Sequence, residues 1–209
     1  MLDTVKNQLA SNRLSVRIIT AYVIFLVVFF GVMILSYYLL PDGLLKNKHP
    51  LHNWDTSPLI WVSTLQIFGF NLFSVLIMQI GNLFATRINQ SEKFLPYGYY
   101  GLFTQITFNA LVLGTWSFSV EHESLALLGR IFRTFDIFNR AGLWEMTGQL
   151  LTVCATAKAA IVVIDGKSTF SKKLRDIRLK KEEIFTFILG IAFLLIGALV
   201  ESCAIIEDY

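Results

Sequence analysis

Apolar side chains run almost unbroken from residue 18 to 40. They return, interrupted by single amides, small residues or an acid, over about 59–84, 99–120, 141–165 and 184–206. A hydrocarbon layer of ~30 Å takes about 20 residues of helix at ~1.5 Å rise each, so every one of these stretches is long enough for one crossing. The pattern predicts an all-α, polytopic membrane helix bundle of about five transmembrane helices, forming a single domain over residues 1–209. The first stretch is too long for the apolar core of a signal peptide, and no small-residue cleavage site follows it, so it is expected to remain as a crossing. Residues 121–140 carry a different pattern. Leu125, Leu128, Phe132 and Phe135 fall at i, i+3, i+7 and i+10, with Arg130, Arg133 and Asp136 mostly elsewhere around the helix. That spacing predicts an amphipathic helix that lies in the membrane interface or re-enters the bilayer.

The fourth stretch organises the others. Glu145, Gln149, Thr152 and Thr156 fall on one stripe of a helix, and Lys158 follows near its end. A carboxylate in hydrocarbon costs roughly 2.5 kcal/mol or more, so this stripe must face protein or water. Asn71 and Asn82 share a face of the second crossing, and Asn109 lies in the third. Glu201 in the last crossing comes to the same depth as Glu145 if neighbouring helices alternate in direction. Asn71, Asn109, Glu145, Gln149 and Glu201 are therefore expected to form one intramembrane polar cluster, with the two acids either sharing a proton or framing a cation, or else anchoring helices by hydrogen bonds. Ala110, Gly114, Gly142, Gly148, Gly190 and Gly197 are the positions where helices are expected to approach closely.

The chain has 55% hydrophobic and 16% charged residues, against about 25% charged in soluble proteins, and a formal charge of +3. The cations are localised, so they report membrane topology rather than nucleic-acid binding. With the N-terminus in the cytoplasm, the inner segments hold most of the Lys and Arg, and the C-terminus lies outside the plasma membrane. Residues 166–183 are the one strongly basic stretch, expected as a cytoplasmic basic helix in which Lys172, Lys173, Arg175, Arg178, Lys180 and Lys181 meet anionic headgroups or a partner subunit. Lys158 is expected to snorkel to the same interface. Gly166-Lys167-Ser168 ends like a phosphate-binding loop, but Ile161 occupies the position that needs glycine. His49, His52 and His122 lack a metal-ligand spacing, Cys154 and Cys203 read as packing residues, and no nucleophile motif is present. No metal, no cofactor and no enzymatic activity are expected.

Three segments carry a family resemblance. Asn109-Ala110-Leu111-Val112-Leu113-Gly114 resembles the Asn-Gly-x-x-x-Gly stretch of the stage II sporulation protein M family of membrane proteins. Ala141-Gly142-Leu143-Trp144-Glu145-Met146 is similar to its Pro-His-Gly-x-x-Glu-Leu-Pro motif, with Gly142 and Glu145 in matching positions and Arg140, Ala141 and Thr147 where the family has Pro, His and Pro. Ile196-Gly197-Ala198-Leu199-Val200-Glu201 is similar to its last-helix pattern of small residues and an acid. The resemblance implies a non-enzymatic integral membrane subunit of a multiprotein assembly, in contact with lipids and with other membrane subunits or further copies of itself. The alternative it implies is a component of an export or self-immunity system of the peptide or bacteriocin type, working beside an ABC-type ATPase.

Overall fold

The computed structural model describes residues 2–46, 57–88, 93–117, 125–137, 142–166, 168–173 and 177–207. In chain order these form α1 (Leu2–Leu9), α2 (Leu14–Leu39), α3 (Ile60–Asn82), β1 (Phe84–Arg87), β2 (Phe94–Pro96), α4 (Gly98–Gly114), α5 (Leu127–Ile137), α6 (Leu143–Thr156), β3 (Val162–Asp165), β4 (Ser168–Ser171) and α7 (Lys181–Glu207). Three helices, α2, α3 and α7, are long and apolar enough to cross a membrane, with mean hydropathy of 2.9, 1.7 and 2.5 over their most apolar windows. Much of their outer surface is uncovered apolar side chain, such as Val27, Phe73 and Phe185. Such a surface needs lipid or another apolar partner.

The other two expected crossings differ from the sequence reading. α4 stops at Gly114, short of residue 120, and Trp116 takes a positive φ of 50° just beyond it. α6 ends at Thr156 instead of continuing to 165, and its 14 residues reach only ~21 Å. Beyond it the run Ile161-Val162-Val163-Ile164 is β-branched throughout, and it forms a strand rather than another helical turn. Lys158 consequently stands in a turn, not in a helix.

A four-stranded sheet, ordered β2-β1-β3-β4, stands at this end of the bundle, where an all-α fold was expected. β1 pairs antiparallel with β2, β3 antiparallel with β4, and β1 parallel with β3. Two helix–hairpin–helix units, α3-β1-β2-α4 and α6-β3-β4-α7, thus share one sheet. The Leu83 carbonyl accepts from both Ile161 N (2.8 Å) and Val162 N (2.9 Å) where the units join. β4 and the non-helical residues 172–173 and 177–180 stand where a basic helix was expected. Gly166, with φ +58°, supplies the left-handed backbone that the tight β3–β4 turn requires.

The ends of the short helices are closed by side chains. The last carbonyls of a helix have no intrahelical donor. At α6, Asn82 Nδ2 donates to the Val153 carbonyl (3.0 Å) and to Thr156 Oγ1 (2.8 Å), and Arg17 Nε donates to the Cys154 carbonyl (3.0 Å). Arg17, fully buried, also donates to the Ser11 carbonyl (3.0 Å) and pairs at 2.5 Å with Glu183, itself 2% exposed. The other oxygen of Glu183 accepts from Lys180 N (2.9 Å), which caps the start of α7. At α4 the same device recurs: Arg130 of α5 donates to the Gly114 carbonyl, to the Leu125 carbonyl (2.7 Å) and to Asp42 (2.7 Å), and stacks on Tyr37 at 4.6 Å.

Asn82→Ala leaves the Val153 carbonyl without its side-chain donor in a buried place. It is expected to lower unfolding stability by about 1–3 kcal/mol in detergent, as read by thermal or denaturant unfolding. A change within about 0.5 kcal/mol would contradict the capping role.

Candidate functional site

The expected amphipathic segment contains α5, but turned opposite to a helix resting on a protein core. Arg130 and Thr134 are buried, while Leu128, Phe132 and Phe135 are 69%, 72% and 55% exposed. Contacts with α2 give its direction. Arg130 meets Tyr37, Thr134 Oγ1 donates to Met33 Sδ (3.6 Å), and the Phe135 ring lies 6.0 Å from Phe30. Seven residues of α2 separate Tyr37 from Phe30, so α5 runs ~10 Å along it from the far end toward the sheet end. α6 then starts at Leu143 and covers the remaining distance to the sheet. The two short helices together travel the length that one continuous helix was expected to cover.

Glu145 lies in the first turn of α6, eleven residues and therefore ~16 Å from Thr156. Its Oε1 accepts a hydrogen bond from Asn71 Nδ2 of α3. The Glu201 carboxyl of α7 lies close enough for direct electrostatic and hydrogen-bonding interaction with it. The approach of α7 depends on glycine. A Cβ on Gly197 would stand 2.9 Å from Glu145 Cγ and 3.1 Å from Trp144 Cβ. One on Gly190 would stand 2.7 Å from Thr152 Cγ2 and 2.8 Å from the Gly148 carbonyl, and one on Gly148 would stand 2.6 Å from the Gly190 carbonyl. Trp144 stacks on Phe193 with centroids 5.4 Å apart, closing the same seam.

Below the acids, polar groups continue along α6 toward the sheet. Gln149 is 2% exposed, Thr156 Oγ1 bonds Gln79 Oε1 of α3, and Gln79 Nε2 is buried with no hydrogen-bond partner among the described residues. The structure thus brings together Asn71, Glu145 and Glu201, with Gln149 one turn further along α6. Asn109 stands on α4, and no hydrogen bond among the described residues joins it to this group. Ala110 and Gly114 serve the α2–α4 seam instead, where a Cβ on Gly114 would collide with Ser36 and the Met33 backbone. Gly142 is the N-cap of α6.

A second polar site lies at the sheet end. Lys158 Nζ donates to Asn12 Oδ1, and Lys172 Nζ sits 4.3 Å from the centre of the Phe94 ring. The ammonium of Lys158 is held below the usual lysine range, first by burial and then by the positive charge of Arg17, with Glu183 opposing and Lys180 and Lys172 adding to the effect. Lys173, Arg178, Lys180 and Lys181 are exposed beyond β4. Arg175, Lys167, His49, His52 and His122 lie outside the described residues. Among the described residues no group of three or more His, Cys, Asp and Glu is placed to hold a metal ion.

Arg17 and Glu183 belong to no motif or stripe that sequence reasoning singles out. Their signal was position: each immediately precedes an apolar stretch, Arg17 before Ile18 and Glu183 before Ile184. Comparison with family models, curated proteins and solved structures finds no match to this chain.

Gly190→Ala forces a methyl group into the α6–α7 seam and is expected to cost about 1–3 kcal/mol of unfolding stability. Gly31→Ala, where a Cβ meets nothing within 4 Å, is expected to stay within about 0.5 kcal/mol of the wild type. Equal effects of the two would show that α6 and α7 do not meet at these glycines.

Proposed function

We propose that the chain is a non-enzymatic integral membrane subunit of a multiprotein assembly, in the manner of the stage II sporulation protein M family. Its crossings are α2, α3, α4, the α5–α6 pair and α7. The sheet end is cytoplasmic and the C-terminus lies outside. Of the fourteen described Lys and Arg residues, all but Lys46, Arg130 and Arg133 belong to segments at the sheet end, which supports this orientation.

One observation carries the subunit reading. The buried cations close helix ends inside the bundle, while α5 turns Leu128, Phe132 and Phe135 outward beside the far surface. A photo-crosslinking amino acid at Phe132 in cells is expected to yield a discrete adduct with a second membrane protein. Adducts with lipid alone would contradict the subunit reading.

The second reading, a transport or export component, rests on the carboxyl pair at the start of α6. Broken helices whose ends meet polar groups inside the membrane are a recurring device of transporters, and ionisable groups there commonly serve ion or proton movement. On this reading the wild type carries protons across proteoliposomes and Glu145→Gln abolishes that flux, while its expression and unfolding temperature stay unchanged. Equal flux in both proteins would remove it.

A further inference from the structure

The sheet closes one of its edges and leaves the other open. β2 ends in Pro96, which has no N–H to offer, and it lies against α1, where Leu95 joins the same apolar cluster as Leu9 and Ala10. β4, at the opposite edge, is exposed at all four residues, Ser168–Ser171, and carries neither proline nor charge. One bond fixes its register. Lys172 N donates to the Ile161 carbonyl (2.8 Å), and bonded and non-bonded pairs alternate along an antiparallel ladder. Val163 with Phe170 and Asp165 with Ser168 are then bonded pairs. Thr169, opposite Ile164, and Ser171, opposite Val162, turn their N–H and C=O groups away from β3. Among the described residues nothing pairs with those four groups.

A row of outward backbone donors and acceptors at strand spacing matches the geometry of an extended chain. Charge narrows the choice of chain. Lys172 and Lys173 follow β4 directly and are exposed, and Arg178 and Lys181 are exposed where the chain returns to α7. Two residues span at most ~7 Å, so Lys173 lies within the ~8 Å screening length of Ser171 at physiological salt. The nearest acids along the chain are already matched: Asp165 pairs with Arg87 at 2.7 Å, Glu182 with Lys180 at 3.5 Å and Glu183 with Arg17 at 2.5 Å. Lys172 lies over the Phe94 ring, and neither it nor Lys173 has a carboxylate partner among the described residues. A second copy of this chain would bring the same cations to the same edge, adding charge instead of neutralising it.

We propose that the β4 edge is a docking site for an extended acidic segment of a partner protein. That segment adds a fifth strand to the sheet through the N–H and C=O groups of Thr169 and Ser171, and sets its carboxylates against Lys172 and Lys173. The inference rests on the subunit reading for the existence of a partner and names where that partner binds. The crosslink at Phe132 probes the far end of the bundle, so each can fail without the other.

The test titrates the full-length protein in a nonionic detergent with a dye-labelled peptide in which Glu alternates with Thr and Val, read by fluorescence anisotropy. Saturable binding is expected. The peptide with Lys in place of Glu, and the acidic peptide with Pro in place of Thr, are each expected to bind at least tenfold more weakly. Thr169→Pro removes one outward N–H while sparing the β3–β4 ladder, and the double variant Lys172→Glu, Lys173→Glu reverses the charge. Both are expected to weaken binding of the acidic peptide at least tenfold at an unchanged unfolding temperature, and Lys46→Gln at the far end to leave it unchanged. Equal binding of the proline-interrupted peptide would show that charge alone attracts, and would overturn strand addition. Displacement of the bound peptide by an equal concentration of short-chain phosphatidylglycerol would assign the surface to lipid instead, and absence of saturable binding would overturn the site itself.

Discussion

A helix of 14 residues is too short to span a ~30 Å hydrocarbon layer, and both its ends must be satisfied inside the protein. α6 is that helix; Asn82 and Arg17 close its end, and the pairing with Glu183 holds Arg17 there. One guanidinium reaches the last turn of α6 through the Cys154 carbonyl, the entry to α2 through the Ser11 carbonyl, and the first turn of α7 through Glu183. Its charge also suits the negative end of the α6 dipole. A buried ion pair of this kind contributes little net stability compared with well-packed apolar residues, but losing one partner is expensive. Its effect is therefore on arrangement: it fixes which three helix ends meet, and the sheet forms from the segments that leave that junction.

The rest of the architecture follows from α6 being short. Because its N-terminus starts inside the bundle, Glu145 meets Asn71 and Glu201 there instead of at a surface. Because α5 covers the remaining distance, a helix with a strongly basic residue can bury that residue against the end of α4 and turn its apolar side outward. Arg17 at one end and Arg130 at the other perform the same task on two different short helices. The α6–α7 seam is held to backbone contact by Gly148, Gly190 and Gly197, so the acids on it have little freedom to separate.

Much of the helical frame is legible in apolar periodicity, since α2, α3 and α7 are long runs whose bounds shift by only a few residues from expectation. The juxtaposition of Glu145 with Asn71 and Glu201 was legible too, because polar side chains in hydrocarbon have few places to go. The end of α6 was not, since hydropathy alone does not distinguish a helical Ala-rich turn from a β-branched strand: residues 157–165 are as apolar as a crossing. The sheet was missed for the same reason. Its four strands are three or four residues long, and β1 and β3 pair across more than seventy residues of chain. Arg17 was hidden by its position, because a cation beside an apolar run ordinarily marks topology, and only the fold shows it enclosed.

The most direct measurement is a double-mutant cycle on Arg17 and Glu183, with Arg17→Met, Glu183→Met and the double variant unfolded in the same detergent. Each single change is expected to cost about 3–5 kcal/mol by leaving the other charge buried and unpaired. The double variant should lose less than the sum, with a coupling energy of about 2 kcal/mol or more. Costs that add within about 0.5 kcal/mol would show that the two residues do not meet, and would contradict the junction on which α6 depends.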